Sequence, residues 1–504
     1  MSKIHVENIK FFCFRMILSC FRRFRPVVNK QLIFYASSPV NVSQKRQCGD
    51  ISQSKLEIFK EIFDESEDKD EYLNLRSRYF LQENLGHQVI ILQPFLRTGN
   101  SETTKELMLD ESKALIETLN WKVVNSMCIG LSSFKKAELF GSGKLAEIQE
   151  LISNDPRITA VFLSLYQLTT TQRILLENRF SIPVIDRYNL VLQIFHQHAR
   201  TREAKLQVAL AEIPYIRNRI CVDYEREQNS KHSKSNMGES SFETRRNNLK
   251  KLERNIRSKI DKLKAQRKKL REGKNREKFK TVAVVGYTNC GKTSLIKALT
   301  GEDLEPKNQL FATLDVTCHL GVLPSNLKCI YIDTVGFISD IPTSLIASFS
   351  ATLEDAVQAD MILHVRDLSH PDTLHQNSQV LATFNKLNFP FSARENIITV
   401  GNKIDKVGAE TIKSLRNTDV IPVSATLNIG LTHLSRSIER LLIKLSGRKR
   451  MVYRVRTGGE EQLWLRRNGT VISSAVAEDL NYSDMTVLLS PEEIGKFHTT
   501  FIKV

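Results

Sequence analysis

Short apolar runs alternate with helically spaced segments along most of this chain, and the two periods place its elements. Gln88-Val-Ile-Ile-Leu92, Ile158-Thr-Ala-Val-Phe-Leu163 and Ile182-Pro-Val-Ile185 read as buried strands, with helices over 147–152 and 172–177 between them. Such alternation builds a small, mostly parallel sheet. Two long amphipathic segments follow. Arg200 to Val222 places Leu206, Leu210, Ile213, Ile216 and Ile220 on one face, with a kink expected at Pro214. Glu243 to Leu270 carries Leu249, Leu252, Ile256, Ile260, Leu263 and Leu270 at coiled-coil-like spacing. The polar stretch 223–242 between them reads as a mobile loop, so the pair is expected as an antiparallel hairpin. Its first helix would be ~33 Å long at 1.5 Å per residue. A second α/β pattern opens at Thr281-Val-Ala-Val-Val285 and returns at Tyr331-Ile-Asp333 and Asn396-Ile-Ile-Thr-Val400. The tail reads as a small α+β appendage. It would hold a hairpin of Gln462-Leu-Trp-Leu465 and Thr470-Val-Ile472 about Asn468-Gly469, a strand at 486–489 and a helix from Pro491.

The second α/β pattern carries the chemistry. Gly286, Tyr287, Thr288, Asn289, Cys290, Gly291, Lys292 and Thr293 form a complete G-x-x-x-x-G-K-[ST] loop between a strand and the helically spaced run 294–299. The glycines let backbone N–H groups close around a phosphate chain, and the helix N-terminus adds roughly half a positive charge. Lys292 would reach the terminal phosphates and the Thr293 hydroxyl would hold Mg²⁺. Thr313, within Phe311, Ala312, Thr313, Leu314 and Asp315, lies twenty residues after Thr293. That suits a switch threonine that ligates Mg²⁺ only while a γ-phosphate is present. Asp333, Thr334, Val335 and Gly336 form D-x-x-G at a strand end. Asp333 would bind Mg²⁺ through water, and the Gly336 N–H would contact the γ-phosphate.

Base choice comes from Asn402, Lys403, Ile404 and Asp405. The Asp405 carboxylate can accept from N1–H and the N2 amino group of guanine, a donor pair that adenine lacks. Lys403 would lie along the base plane. Val423, Ser424, Ala425 and Thr426 complete the site with a backbone N–H for guanine O6. These motifs, in order and each after an apolar run, make a GTP- or GDP-binding domain with Mg²⁺. Lys292, Thr313 and Gly336 are its candidate catalytic groups. Phe337 stands where many GTPases carry a water-positioning Gln, so slow intrinsic hydrolysis is expected. Asn289 has two readings: a K⁺ ligand that lets the ion act like an arginine finger, or, more simply, a loop-stabilising residue.

The net charge of +17 points to a polyanion partner. From Glu243 to Lys280 the sequence has seventeen basic and five acidic residues with few aromatics, which favours phosphate-backbone contact with folded RNA over base stacking or DNA. Eight cysteines without a C-x-x-C pair argue against a zinc site or a disulfide framework. His196 and His198 lack a third ligand, and Gly141-Ser-Gly-Lys144 lacks full loop length. No segment reaches the ~18 uncharged apolar residues of a membrane span. Through Gly49 the N-terminus holds nine Lys/Arg against Glu7 alone, around the apolar 11–21. That pattern reads as a mitochondrial transit segment over 1–50, with the matrix as destination and the cytoplasm as the alternative.

Val184-Ile-Asp-Arg187, Ala199-Arg-Thr-Arg-Glu-Ala-Lys-Leu-Gln-Val208, Phe140-Gly-Ser-Gly-Lys144, the 311–315 and 333–337 motifs and the hairpin together resemble the HflX family of translational GTPases, from about residue 87 to the end. The resemblance implies a monomer that binds the large ribosomal subunit and its rRNA, hydrolyses GTP under ribosomal stimulation, and acts in splitting or recycling ribosomes. Large-subunit assembly, with GTP gating release, is the alternative. A passive RNA-binding module with GTP as structural ligand is a further one. The chain departs from the family at the hairpin tip, where only Gly238-Glu239 remains of a glycine-rich loop. The fold class is thus α/β. A doubly wound P-loop GTPase domain at 276–449 follows an α/β domain at 87–186 and the hairpin at 187–275. The appendage spans 450–504, and 51–86 is expected to be a linker.

Overall fold

The computed structural model describes residues 67–81, 86–97, 103–230, 236–273, 279–306, 309–311, 316–338, 358–386, 395–415 and 418–502. The expected transit segment lies outside them. The first helix, α1 (Glu67–Tyr79), falls in the stretch expected to be a linker. Its Tyr72, Leu75 and Tyr79 are buried, so this helix belongs to the core.

Strands β1 (Gln88–Leu96), β2 (Lys122–Leu131), β3 (Ala160–Leu163) and β4 (Val184–Asp186) form a parallel sheet in the order β2-β1-β3-β4. Alternation along β1 explains its two covers. Val89 and Ile91 join a cluster with Leu115 and Ile116 of α2 (Lys105–Thr118), and Leu190 and Ile194 of α5 (Arg187–His198) belong to the same cluster. Ile90 and Leu92 pack with Ile148 of α3 (Ser142–Asn154) and Leu176 of α4 (Thr170–Phe180). A strand covered on both faces is apolar throughout, as the sequence is.

Helices α6 (Arg202–Ser230) and α7 (Asn236–Gly273) make the hairpin. Arg217 meets Glu253 at 3.4 Å, and Tyr224 stacks on Phe242 at 4.4 Å, which fixes them antiparallel. Pro214 sits inside α6 without ending it. The expected loop 223–242 is largely helical. Asp223 accepts from Tyr79 at 3.0 Å and pairs with Arg78 at 2.7 Å, so distant partners anchor a segment that composition alone leaves loose.

The second sheet has the order β10-β9-β8-β5-β7-β6, with β5 (Lys280–Gly286), β6 (Thr317–Val322), β7 (Lys328–Asp333), β8 (Met361–Asp367), β9 (Ile397–Asn402) and β10 (Val420–Pro422). Among the described strands of this sheet, only β6 runs antiparallel to its neighbour. Helices α8 (Lys292–Thr300), α9 (Thr373–Lys386), α10 (Ala409–Ser414) and α11 (Leu431–Ser446) belong to this part. The appendage is an antiparallel sheet, β11-β13-β12. Its strands are β11 (Lys449–Arg456), β12 (Thr470–Val476) and β13 (Tyr482–Leu489), with helices α12 (Glu460–Asn468) and α13 (Pro491–Phe501). Residues 462–465, expected to be a hairpin strand, are helical. The Gly458 N–H donates to Gln462 Oε1 at 2.7 Å, and Leu465 turns into the core. Among the described residues no helix is long and apolar enough to cross a membrane.

Candidate nucleotide site

After β5 the chain first builds β6 and β7 on one side of that strand and then crosses to β8 on the other. The loop after β5 therefore sits at the switch point of a doubly wound sheet, where ligands bind at the carboxyl ends of strands. Gly291 caps α8 with φ +93°, and a side chain there would collide with the Asn402 amide. Lys292 is buried and donates to Tyr287 O at 2.9 Å and Gly286 O at 3.3 Å. Thr293 Oγ1 donates to Asp333 Oδ2 at 2.7 Å. Two of the three expected Mg²⁺ residues are thus in contact, and both are hard oxygen donors of the kind Mg²⁺ takes. A Cβ on Gly336 would lie 2.9 Å from Thr288 Cα and 3.0 Å from Lys292 Nζ. Thr288, Asn289, Lys292, Thr293, Phe311 and Gly336 line a cavity of about 60 Å³.

The D-x-x-G segment is zipped to the phosphate loop. Phe337 N donates to Gly286 O at 3.1 Å, and Thr288 N donates to Phe337 O at 2.6 Å. The Phe337 ring is buried edge-on to Phe384 with centroids 5.8 Å apart, so it does not substitute for a water-orienting amide. The Thr334 hydroxyl donates to Val284 O at 2.8 Å, and Val335 is buried in the core. These two residues brace the loop.

At the base end, Asn402 Nδ2 donates to Cys290 O at 3.0 Å, and its Oδ1 accepts the Ala425 N–H at 3.1 Å. That N–H, a candidate donor for guanine O6, therefore braces Asn402 here. Lys403 Nζ bridges Asn289 O at 2.8 Å and Asp367 Oδ2 at 2.7 Å. Asp405, exposed in the short turn Ile404–Lys406, accepts from Ser424 Oγ at 2.6 Å, which orients the carboxylate and leaves further lone pairs for a ligand. Thr426 Oγ1 lies 3.2 Å from Ser424 Oγ. Burial pushes the Cys290 thiol up despite Lys292 and Lys403, so this cysteine fills space.

Phe311 has φ +53° and is buried edge-on to Phe195 of α5, centroids 4.7 Å apart. Ala312, Thr313, Leu314 and Asp315 lie outside the described residues. Motif reading missed Asp367. It also missed Glu111, whose Oε1 accepts from Tyr287 Oη at 2.9 Å and pairs with Arg187 Nη2 at 2.7 Å. Asp367 ends a buried strand beside the base motif, the one signal that sequence offered for it. Lys144 pairs with Glu147 at 2.6 Å in the opening turns of α3, and His196 meets Glu212 at 3.2 Å.

Three family descriptions match in order along the chain: "GTP-binding GTPase N-terminal" over 106–196, "GTP-binding GTPase Middle Region" over 198–274 and "50S ribosome-binding GTPase" over 281–403. GTPase HflX of Caldanaerobacter subterraneus is 34% identical over 347 residues, 68% of this chain and 79% of that protein. The chain belongs to the HflX family of GTPases. Human GTP-binding protein 6 is similar at 40% identity over 408 residues, 80% of this chain and 78% of that protein. Among solved structures, a GTP-binding protein from Sulfolobus solfataricus in complex with GDP is 23% identical with a TM-score of 0.39, covering 71% of this chain and 100% of that one. This HflX-family protein binds guanine nucleotide and hydrolyses GTP, as its family and its G domain require.

Proposed function

We propose that this HflX-family GTPase is a switch that docks on the large ribosomal subunit and is stimulated there to hydrolyse GTP. The observation that carries the reading is the outer face of α7. Arg245, Arg246, Lys250, Lys251, Arg254 and Arg257 are exposed there, while Leu249, Leu252 and Ile256 are buried against the rest of the fold. A rigid helix that presents charge without aromatics suits the phosphate backbone of rRNA. The family match over the G domain supports the direction, since that family is described as 50S ribosome-binding.

Within the G domain, Lys292 and the Gly336 N–H would take the terminal phosphate, and Asp405 would select guanine. Mg²⁺ would be held by the Thr293 and Thr313 hydroxyls and by Asp333 through water; it neutralises phosphate charge when bound. Intrinsic turnover is slow because Phe337 replaces the amide. Asn289, at φ +59° with its carbonyl on Lys403, serves the loop. Equal rates in Na⁺ and K⁺ agree with that, and faster turnover in K⁺ alone restores the ion reading. The protein acts as a monomer in ribosome splitting or recycling in the mitochondrial matrix, the last point resting on the arginine-rich N-terminus.

Purified large subunits test the core of this. Strong stimulation of GTP hydrolysis is expected, and a rate indifferent to subunits overturns the switch. Sedimentation of intact ribosomes with a non-hydrolysable GTP analogue separates splitting, which releases subunits, from assembly, which leaves ribosomes intact. Residues 1–50 fused to a fluorescent protein should reach mitochondria; a diffuse cytoplasmic signal removes the address.

A further inference from the structure

Phe337 leaves the attacking water of GTP hydrolysis without its usual amide partner, and a group lining the phosphate cavity is placed to serve. We propose that the Thr288 hydroxyl positions that water. Thr288 is 6% exposed, yet its Oγ1 has no hydrogen-bond partner among the described residues. A buried hydroxyl without a partner destabilises the folded protein, and a valine of the same shape would avoid that. The chain keeps a donor and acceptor where packing alone asks for neither.

Its surroundings name the task. Thr288 lines the small phosphate cavity with Lys292, Thr293 and Gly336. It also lines a cavity of about 630 Å³ bounded by Glu111 and Arg187 on one side and Asp367 and His370 on the other. The residue stands where the phosphate site meets a space large enough to deliver water. Its backbone is held from the far side, because its N–H donates to Phe337 O at 2.6 Å. The Thr288 methyl would sit 2.9 Å from a Cβ on Gly336, the residue expected at the γ-phosphate. Thr288 is thus held beside Gly336, its backbone by the Phe337 carbonyl and its Cα and methyl close against the glycine.

In the reaction, the water oxygen bonds to the γ-phosphorus as the bond from that phosphorus to the β–γ bridging oxygen breaks. GDP leaves with the bridging electron pair, and the water's proton passes to the released phosphate. Thr288 accepts one hydrogen bond from the water and stays protonated throughout. It orients the nucleophile and is no base, so it is a positioning residue.

Full-length T288V, T288A and T288S test this in single-turnover GTP hydrolysis, with GTP and GDP affinities measured alongside. T288V and T288A should lower the rate constant by roughly 10²-fold, the size of one positioned hydrogen-bonding group. Both nucleotide affinities should stay near wild type, T288S should restore most of the rate, and T288V should melt no lower than wild type. Wild-type rates in T288V overturn the proposal. So does a T288S as slow as T288V, because a retained hydroxyl then rescues nothing. A loss of GTP affinity with GDP affinity intact also overturns it, by making the hydroxyl a phosphate ligand. No hydrolysis by the wild-type protein would instead refute the GTPase reading itself, so the two failures are distinct.

Discussion

Replacing Glu212 by Gln should loosen the N-terminal half by an amount the structure sets. Glu212 lies in α6 with no exposed surface and gathers Tyr72 and Arg76 of α1 and His196 of α5. Burial pushes its carboxyl up, but Arg76, His196 and the Tyr72 hydroxyl outweigh that and hold it at about 2, against an ordinary 4.5. At about 1.4 kcal/mol per unit, this drop is worth about 3 kcal/mol of stability near neutral pH. The folded value lies below the unfolded one. The stabilisation is therefore complete above pH ~4.5 and is lost as pH falls toward ~2, with about 1 kcal/mol gone by pH 3.5. Glu212→Gln keeps the volume and an acceptor for Tyr72 but removes the charge that faces Arg76. It should lower stability by about 3 kcal/mol at pH 7.

Urea unfolding followed by tryptophan fluorescence measures this directly. Trp121 is buried beside the first sheet and Trp464 lies in the appendage, so a Trp464→Phe background isolates the relevant transition. The gap between the parent protein and its Glu212→Gln variant should narrow by about 1 kcal/mol at pH 3.5. With Arg76→Gln added, the double variant should cost less than the two singles together. Equal midpoints at pH 7, or a gap that stays constant with pH, would falsify the electrostatic account.

Three further outcomes bear on function. Asp405→Asn exchanges an acceptor for a donor at the base edge; GTP affinity should fall by roughly 10²-fold or more while xanthosine triphosphate gains, in competition binding. Gly336→Ala sets a Cβ 2.9 Å from Thr288 Cα, a backbone atom that cannot swing aside, so hydrolysis should drop roughly tenfold or more with GDP binding retained. Reversing Lys250, Arg254 and Arg257 to Glu on the outer face of α7 should weaken large-subunit binding and reduce its salt dependence by about one slope unit per lost phosphate contact; an unchanged salt slope would clear this face of RNA contact.

What could be read from the sequence follows the range of the forces involved. The phosphate loop was legible because its chemistry is local. Glycine at 291 is needed for φ +93°, and Lys292 and Thr293 must open the helix. The base motif was legible for the same reason. Helix α1 was not, because it is mostly charged and its anchor is Glu212, 140 residues from Tyr72. Helix α12 was misread because four residues, Gln462 to Leu465, fit a period of 2 and of 3.6 equally well. The Tyr287–Glu111 contact spans 176 residues and belongs to no motif at all. Local backbone demands leave a spelling in the chain; side-chain partners brought together by topology do not.

Those unspelled contacts tie the nucleotide site to the rest of the fold. The Tyr287 hydroxyl in the phosphate loop reaches Glu111, and Glu111 reaches Arg187 at the start of α5. The same helix supplies Phe195, which packs on Phe311 at the entry to the switch segment, and His196, which meets Glu212 in the hairpin. Adjacent residues of one helix thus contact Phe311 and the hairpin. Because interiors are close-packed, α5 cannot shift against one without disturbing the other. A signal received along α7 would have a short physical route to the phosphate cavity: through α6 and Glu212 to α5, and from Phe195 to Phe311. The route reaches the nucleotide motifs at Phe311, and it would let a G domain with Phe337 in place of a catalytic amide answer to a surface on the hairpin.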